Sequence, residues 1–189
     1  MRKAVFLDKD GTLIADVPYN VDVDKITLQP NSIAGLRSLQ DSGYLLIIVS
    51  NQAGIAQGRF TAIQLDHAMA HLCNLLKQEG IEINAIYYCP HYPEAELPEY
   101  RQVCDCRKPL PGLIIRAAKD LDIDIAGSWM IGDILNDVEA GNRAGCRSIL
   151  IDNGNETEWK NGEYRSPGYS CSSIDEAAAH ITNKVLLHD

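Results

Sequence analysis

The sequence predicts an α/β fold in which helices cover both faces of a parallel sheet, and three observations carry that expectation. Short apolar runs alternate along the chain with segments of helical periodicity, the order that builds strand–helix–strand units. One run, YLLIIVS (44–50), is apolar almost throughout, as a strand covered on both faces has to be. Polar residues suited to chemistry stand at or just beyond the ends of these runs, where open parallel sheets bind their ligands. Together they describe a Rossmann-like sheet.

Local features justify each element in turn. Residues 4–7 form a short apolar strand. A helix follows from about Asn31, with Ile33, Leu36 and Leu39 on one face, and stops at Gly43. The strand 44–50 comes next. Thr61 and Gln64 then make a capping box that opens a helix carrying Leu65, Met69, Leu72 and Leu76, ending at Gly80. AIYYC (85–89) is the third strand. Pro111 opens another helix, with Leu113, Ala117 and Leu121 along it. SWMIG (128–132), a helix through Ala144 and CRSILI (146–151) complete the alternation. Residues 152–170, rich in Asn, Gly, Glu and Ser, are expected to be a long surface loop, and a last helix starts near Ser173. No repeat, linker or second domain is visible, so the expectation is one domain over 1–189 with no room for a large cap domain.

The bulk numbers exclude several function classes. At 46% hydrophobic and 23% charged, the composition is that of an ordinary globular protein. Net charge −9 and a pI near 5.0 argue against a nucleic-acid partner, which requires a basic stripe. No apolar run approaches the ~20 residues of a membrane helix, and Met1-Arg2-Lys3 leads straight into a strand with no signal-peptide pattern. The expected setting is a reducing cytoplasm and the expected state a monomer. Six cysteines are therefore thiols or metal ligands before they are disulfides.

In FLDKDGT (6–12), Asp8 and Asp10 stand two residues apart at the end of an apolar strand. Like charges that close repel, and desolvation disfavours both ionised forms, so a cation or a reaction must hold them there. Ser50 ends the second strand and Asp133 follows SWMIG, which brings three polar groups from distant positions to one sheet edge. Asp8-Lys9-Asp10-Gly11-Thr12 resembles the signature of the haloacid dehalogenase-like phosphatases, and the other stations follow in order. Ser50 stands at the Ser/Thr station and Lys108 at the Lys station ahead of a helix. GDILND (132–137), with Asp133 and Asp137, matches the acidic station.

The resemblance spans about residues 4–150 and implies a division of labour. Asp8 is the nucleophile that takes the phosphoryl group, and Asp10 the general acid and then base. Asp8, the backbone carbonyl of Asp10, and Asp133 hold Mg²⁺ through oxygen ligands, with Asp137 behind them orienting Lys108 or a metal-bound water. Ser50 and the backbone of Asn51 donate to phosphoryl oxygens, and Lys108 neutralises their charge. A phosphotransferase or dehalogenase of the same superfamily is the neighbouring reading. Asp10 favours phosphate chemistry, because a dehalogenase needs no acid there.

The stretch CPHYPEAELPEYRQVCDCRKP (89–109) supplies Cys89, His91, Cys104 and Cys106, two tight pairs separated by twelve residues. Four soft ligands suit a closed, tetrahedral and therefore structural zinc site in a loop over 89–106. Such a site fixes Arg107 and Lys108 at the mouth of the catalytic edge. Cys73, Cys146 and Cys171 are plain core or surface cysteines, and His67 with His71 on one helix face lack a third ligand. A phosphatase core with this loop resembles the zinc-loop branch shared by heptose bisphosphate and histidinol phosphatases. SNQAGIAQGRF (50–60) and YYCPHYP (87–93) are more similar to the heptose side, whereas Pro18 in DVPY (16–19) is a departure. The resemblance implies a Mg²⁺-dependent phosphatase removing the 7-phosphate of D-glycero-D-manno-heptose 1,7-bisphosphate, on the route to nucleotide-activated heptose for surface glycans. It also implies a small-molecule partner gripped by Asp16, Tyr19, Ser50, Asn51, Gln52, Ala53, Arg107 and Lys108. The alternatives are a histidinol-phosphate phosphatase, another small-molecule phosphomonoesterase, or a noncatalytic zinc module, against which the intact Asp8 and Asp10 argue.

Overall fold

The computed structural model describes residues 1–185. Six parallel strands, β1 (Ala4–Leu7), β2 (Leu45–Asn51), β3 (Ala85–Cys89), β4 (Trp129–Gly132), β5 (Arg147–Ile151) and β6 (Tyr169–Cys171), form one sheet in the order β3-β2-β1-β4-β5-β6. The helices are α1 (Ser32–Asp41), α2 (Ala62–Gln78), α3 (Gly112–Leu121), α4 (Leu135–Ala144) and α5 (Ile174–Val185). Strand alternation divides the core. Val5, Leu7, Leu46, Ile48 and Ile131 pack toward α1, α2 and α5, while Ala4, Phe6, Ile47, Val49 and Met130 face α3 and α4. Because both sets are buried, the strands can be apolar without a break, as their sequences are.

Helix boundaries follow the local signals. Thr61 and Gln64 form the reciprocal capping box, with Gln64 N–H on Thr61 Oγ1 at 3.2 Å and Thr61 N–H on Gln64 Oε1 at 2.9 Å. Gly43 and Gly80 follow α1 and α2 with φ of +83° and +75°. Pro111 is the residue before α3 rather than its first, and Tyr44 and Cys146 precede their strands. The larger departure lies in 152–170. That segment is a loop only to Gly168; Tyr169–Cys171 adds a sixth strand parallel to β5. Three residues are too few to show a period, which is why the composition of the segment masked the strand.

Among the described residues, the segments after β1 and β3 each carry a single 3₁₀ turn, Val23–Lys25 and Pro98–Tyr100, and the first also has isolated bridges of Ile14 with Asp10 and Leu28, too little structure for a large cap. No helix among them is long and apolar enough to cross a membrane.

Candidate active site

Chain order reverses beside β1: β2 and β3 lie to one side of it and β4 to β6 to the other. Crevices at such a reversal, beyond the strand carboxyl ends, are where doubly wound sheets place ligands. Asp8 leaves β1 here, its N–H on Ile131 O of β4 at 3.0 Å, and Asp133 leaves β4 beside it. Lys108 enters from the loop after β3. Its Nζ reaches Asp8 Oδ1 at 2.5 Å, Asp137 Oδ1 at 2.6 Å and Val49 O at 2.9 Å. The contacts with Asp8 and Val49 O are hydrogen bonds and the one with Asp137 is an ion pair, so the ammonium is held from three sides. Burial alone would push Lys108 down, but Asp137 and Asp8 outweigh it and hold the ammonium above the usual lysine range. Asp137 comes close because position 132 is glycine: a Cβ there would lie 2.2 Å from Asp137 Cβ. Asp137 is expected to orient Lys108 or a metal-bound water, and its Oδ1 stands 2.6 Å from Lys108 Nζ.

Asp8, Asp133 and Asp137 bring carboxylate oxygens within 4.8 Å of one another, all three buried. Burial first, then the neighbouring carboxylates, pushes Asp8 up to about 7 and Asp133 up to about 6; Asp137 is raised, burial again leading. One lysine does not neutralise three carboxylates. An oxygen-only, anion-rich and compact donor set fits a hard divalent cation.

Asp10 points away from that triad. Its Oδ1 accepts from Lys9 Nζ at 2.6 Å and its Oδ2 from Gln52 Nε2 at 3.0 Å, and the same amide nitrogen lies 2.8 Å from Ser50 Oγ. Sequence reasoning overlooked Lys9, which is buried although it separates the two aspartates. A cation between two carboxylates was the available signal. The side chain of Asn51, a residue expected to act through its backbone, exchanges two hydrogen bonds with the Lys108 backbone, 3.0 Å to its O and 2.9 Å from its N. The end of β2 thereby grips the lysine loop.

Asp8, Asp10, Lys108, Asp133 and Asp137 line one cavity of about 210 Å³. A second, of about 160 Å³, is lined by Asp16, Tyr19, Gln52, Ala53 and Arg107. The two share Asp10, Asp16 and Asn51, so they adjoin as parts of one cleft. Arg107 lies over the Tyr92 ring at 4.9 Å and donates to His91 O at 3.4 Å. Arg59, another residue not anticipated, lies 5.5 Å over Tyr19. A larger cavity of about 370 Å³ sits beside the Gly11–Thr12 turn against the start of α5, and its lining includes none of Asp8, Asp10, Asp133 and Asp137.

Cys89, His91, Cys104 and Cys106 converge as their spacing predicts. The three Sγ atoms are 2.9, 3.3 and 3.5 Å apart, well beyond an S–S bond, and His91 Nδ1 is 3.4 Å from Cys106 Sγ. Burial pushes the Cys106 thiol up to about 11 and raises Cys89 as well. Thiols this crowded gain a common partner if a soft dication takes their protons' place, so the cluster fits a tetrahedral metal. Among the described residues, His67 and His71 belong to no such cluster, and Cys73, Cys146 and Cys171 are free.

The segment expected to be a plain loop also reaches the site. Asn153 Nδ2 donates to Gly11 O at 2.8 Å, Asn155 Nδ2 to Asp133 Oδ2 at 2.7 Å, and Glu156 Oε2 accepts from Leu135 N–H at 2.6 Å. Nothing in the residue types of a Gly/Asn-rich stretch signals this; only the crossover past β5 brings them there.

A family model described as HAD-hydrolase-like matches residues 105–177. The D-glycero-beta-D-manno-heptose-1,7-bisphosphate 7-phosphatase of Salmonella typhi is 43% identical over 148 residues, 78% of this chain and 79% of that protein. The D-glycero-alpha-D-manno-heptose-1,7-bisphosphate 7-phosphatase of Photorhabdus laumondii subsp. laumondii is 40% identical over 156 residues, 82% of this chain and 85% of that protein. A solved D,D-heptose 1,7-bisphosphate phosphatase from B. bronchiseptica, complexed with magnesium and phosphate, superposes with a TM-score of 0.83 at 30% identity, covering 96% of this chain and 99% of that one.

Proposed function

The chain belongs to the haloacid dehalogenase-like family of heptose-1,7-bisphosphate 7-phosphatases, and from that premise we propose that it removes the 7-phosphate of D-glycero-D-manno-heptose 1,7-bisphosphate through a phosphoryl group carried on Asp8. It is a phosphoric monoester hydrolase. The observation that carries the mechanism is the contact of Lys108 with both Asp8 and Asp137, which aims one acid at the crevice and gives incoming phosphate a fixed cation.

Asp8 attacks phosphorus and its new bond to phosphorus forms as the ester bond breaks. The leaving oxygen takes a proton from Asp10, which must first exchange its hold on Gln52 or Lys9 for the substrate. Asp10 then accepts a proton from the water that attacks the phosphorylated Asp8, releasing phosphate and restoring the carboxylate. Ser50 donates to the phosphoryl oxygens, and Lys108 does so by exchanging its hold on Asp8 for them while it keeps Asp137 and Val49 O. Asp8, the Asp10 carbonyl and Asp133 are the groups we assign to Mg²⁺, which when bound supplies charge neutralisation for the phosphoryl transfer. Every residue of this scheme comes from one chain, so neither a second copy nor a nucleic acid is needed to complete it.

Beyond the reacting end, the cleft from Asp16 to Arg107 is assigned to the sugar and its remaining phosphate. Relatives named for the alpha and for the beta anomer are 40% and 43% identical, and the anomer turned over is a property of this recognition end. The test is phosphorus NMR of the reaction: loss of the C7 ester with the C1 phosphate retained supports the assignment, and release of the C1 phosphate overturns it.

Zinc is our choice for the cysteine–histidine cluster, since three thiolates and an imidazole select it over harder ions in a reducing cytoplasm. Metal analysis of reduced, chelator-free protein should return about one zinc per chain, and Cys104→Ser should lose it. Because Cys106 adjoins Arg107 and Lys108, that variant should also lose at least about tenfold in kcat/KM, the lower range for disturbed metal-site geometry. Zinc-free wild type with full activity would sink this role.

A further inference from the structure

Asp133 is held by two neutral donors that come from different parts of the chain. Thr12 Oγ1 lies 3.0 Å from Oδ1, and Asn155 Nδ2 lies 2.7 Å from Oδ2. A carboxylate offers about four lone-pair positions, so both oxygens can accept these bonds and still present a lone pair to a cation. The Asn155–Asp133 bond lies directly over Gly11: a Cβ on Gly11 would sit 2.0 Å from Asp133 Oδ2 and 2.5 Å from Asn155 Nδ2. Gly11 also has φ +85°, and its carbonyl accepts from Asn153 Nδ2 at 2.8 Å. The catalytic turn is therefore gripped above and beside by one short segment.

That segment is itself fixed. Asn155 N–H donates to Asn153 Oδ1 at 3.2 Å, closing an Asx turn that sets the two amides relative to each other. Glu156, buried, accepts from Glu158 N–H at 2.7 Å and from Trp159 N–H at 3.3 Å, besides Leu135 N–H at the start of α4. Ile134 has no side-chain acceptor, so α4 takes its cap from Glu156 across the loop. Farther along, Arg165 bonds Glu139 Oε2 at 2.7 Å and Asn136 Oδ1 at 3.0 Å, pinning the end of the loop to the same helix.

We propose that Asn155 is a positioning residue for this phosphatase: its amide sets the orientation of Asp133 toward the divalent cation and so sets Mg²⁺ affinity. The inference rests on the reading of Asp133 as a metal ligand. Partners that orient a metal ligand carry about ten- to a hundredfold in metal affinity or activity when removed. A residue that merely stabilised the loop would change the melting temperature and leave affinity alone.

The experiment is calorimetric titration of Mg²⁺ into the zinc-loaded full chain, for wild type, Asn155→Ala, Asn155→Leu and Asp133→Asn. Asn155→Leu keeps a branched side chain of similar volume without donors, so it separates the hydrogen bond from packing and decides the question if Asn155→Ala does not fold. Expected is a rise of at least about tenfold in the Mg²⁺ dissociation constant for both Asn155 variants. With it, kcat at saturating Mg²⁺ should stay within about threefold of wild type, since the reacting groups are untouched. Wild-type Mg²⁺ affinity in Asn155→Leu would overturn the inference, whether or not Asn155→Ala binds weakly. Wild-type affinity in Asp133→Asn would overturn the ligand assignment beneath it, and the inference with it. Asn155 variants that bind normally while Asp133→Asn does not would refute the positioning role alone.

Discussion

Asp8→Asn should lower kcat by at least about four orders of magnitude, because loss of a covalent nucleophile removes the whole two-step route and typically costs that much or more. That is about 5.4 kcal/mol of barrier. The fold should survive, since Asn matches Asp in volume and Lys108 keeps Asp137 and Val49 O. Stability should shift in an informative direction. Burial pushes Asp8 up to about 7 from 3.8, so the folded state disfavours the ionised form. A group with a raised folded pKa contributes fully below its unfolded pKa and loses that contribution as pH rises through the folded value. Asn cannot ionise and has nothing to lose. In Mg²⁺-free buffer the variant should therefore melt at or above wild type, and the gap should widen from about pH 5 to pH 7.5. Turnover within about tenfold of wild type, with substrate and Mg²⁺ saturating, would rule out phosphoryl transfer to Asp8.

The parts of this molecule legible in its sequence are those where one residue type can do one thing. A carboxylate pair at a strand end, a lysine ahead of a helix, Gly-Asp-x-x-x-Asp and two Cys/His pairs each announce a chemistry, and the structure brings Asp8, Lys108, Asp133 and Asp137 together as it does the four soft ligands. The strands were legible for the same kind of reason, since burial on both faces leaves only apolar residues to choose from. What escaped depends on crossings between distant segments. Asn153, Asn155 and Glu156 look like loop formers, and only the return of the chain past β5 sets them against Gly11, Asp133 and Leu135. Lys9 escaped because its neighbours define the motif and it stands in the variable position between them, although it occupies one oxygen of Asp10. The short strand β6 escaped because three residues have no measurable period.

The cleft's recognition end should discriminate against cationic phosphate esters by at least about a hundredfold, roughly 2.7 kcal/mol of transition-state preference. Arg107 is the reason. Its guanidinium lies over the Tyr92 ring, one nitrogen donates to His91 O, and both partners sit on the loop that the cysteine–histidine cluster closes. Arg107 lines the same cavity as Tyr19 and Asp16, where a second phosphate or a row of hydroxyls can accept its remaining donors in charge-assisted bonds. Histidinol phosphate brings an ammonium to the same place and meets like charge. Wild-type kcat/KM for heptose 1,7-bisphosphate should therefore exceed that for histidinol phosphate by at least the stated factor. Arg107→Ala should cost the bisphosphate about thirtyfold, on the scale of a lost charged contact, while an unsubstituted aryl phosphate changes by less than about threefold. That split distinguishes a recognition residue from one that supports Lys108, whose loss would slow both substrates alike. Equal or faster turnover of histidinol phosphate by the wild type would transfer the substrate assignment to that ester while leaving the roles proposed for Asp8, Asp10 and Lys108 untouched.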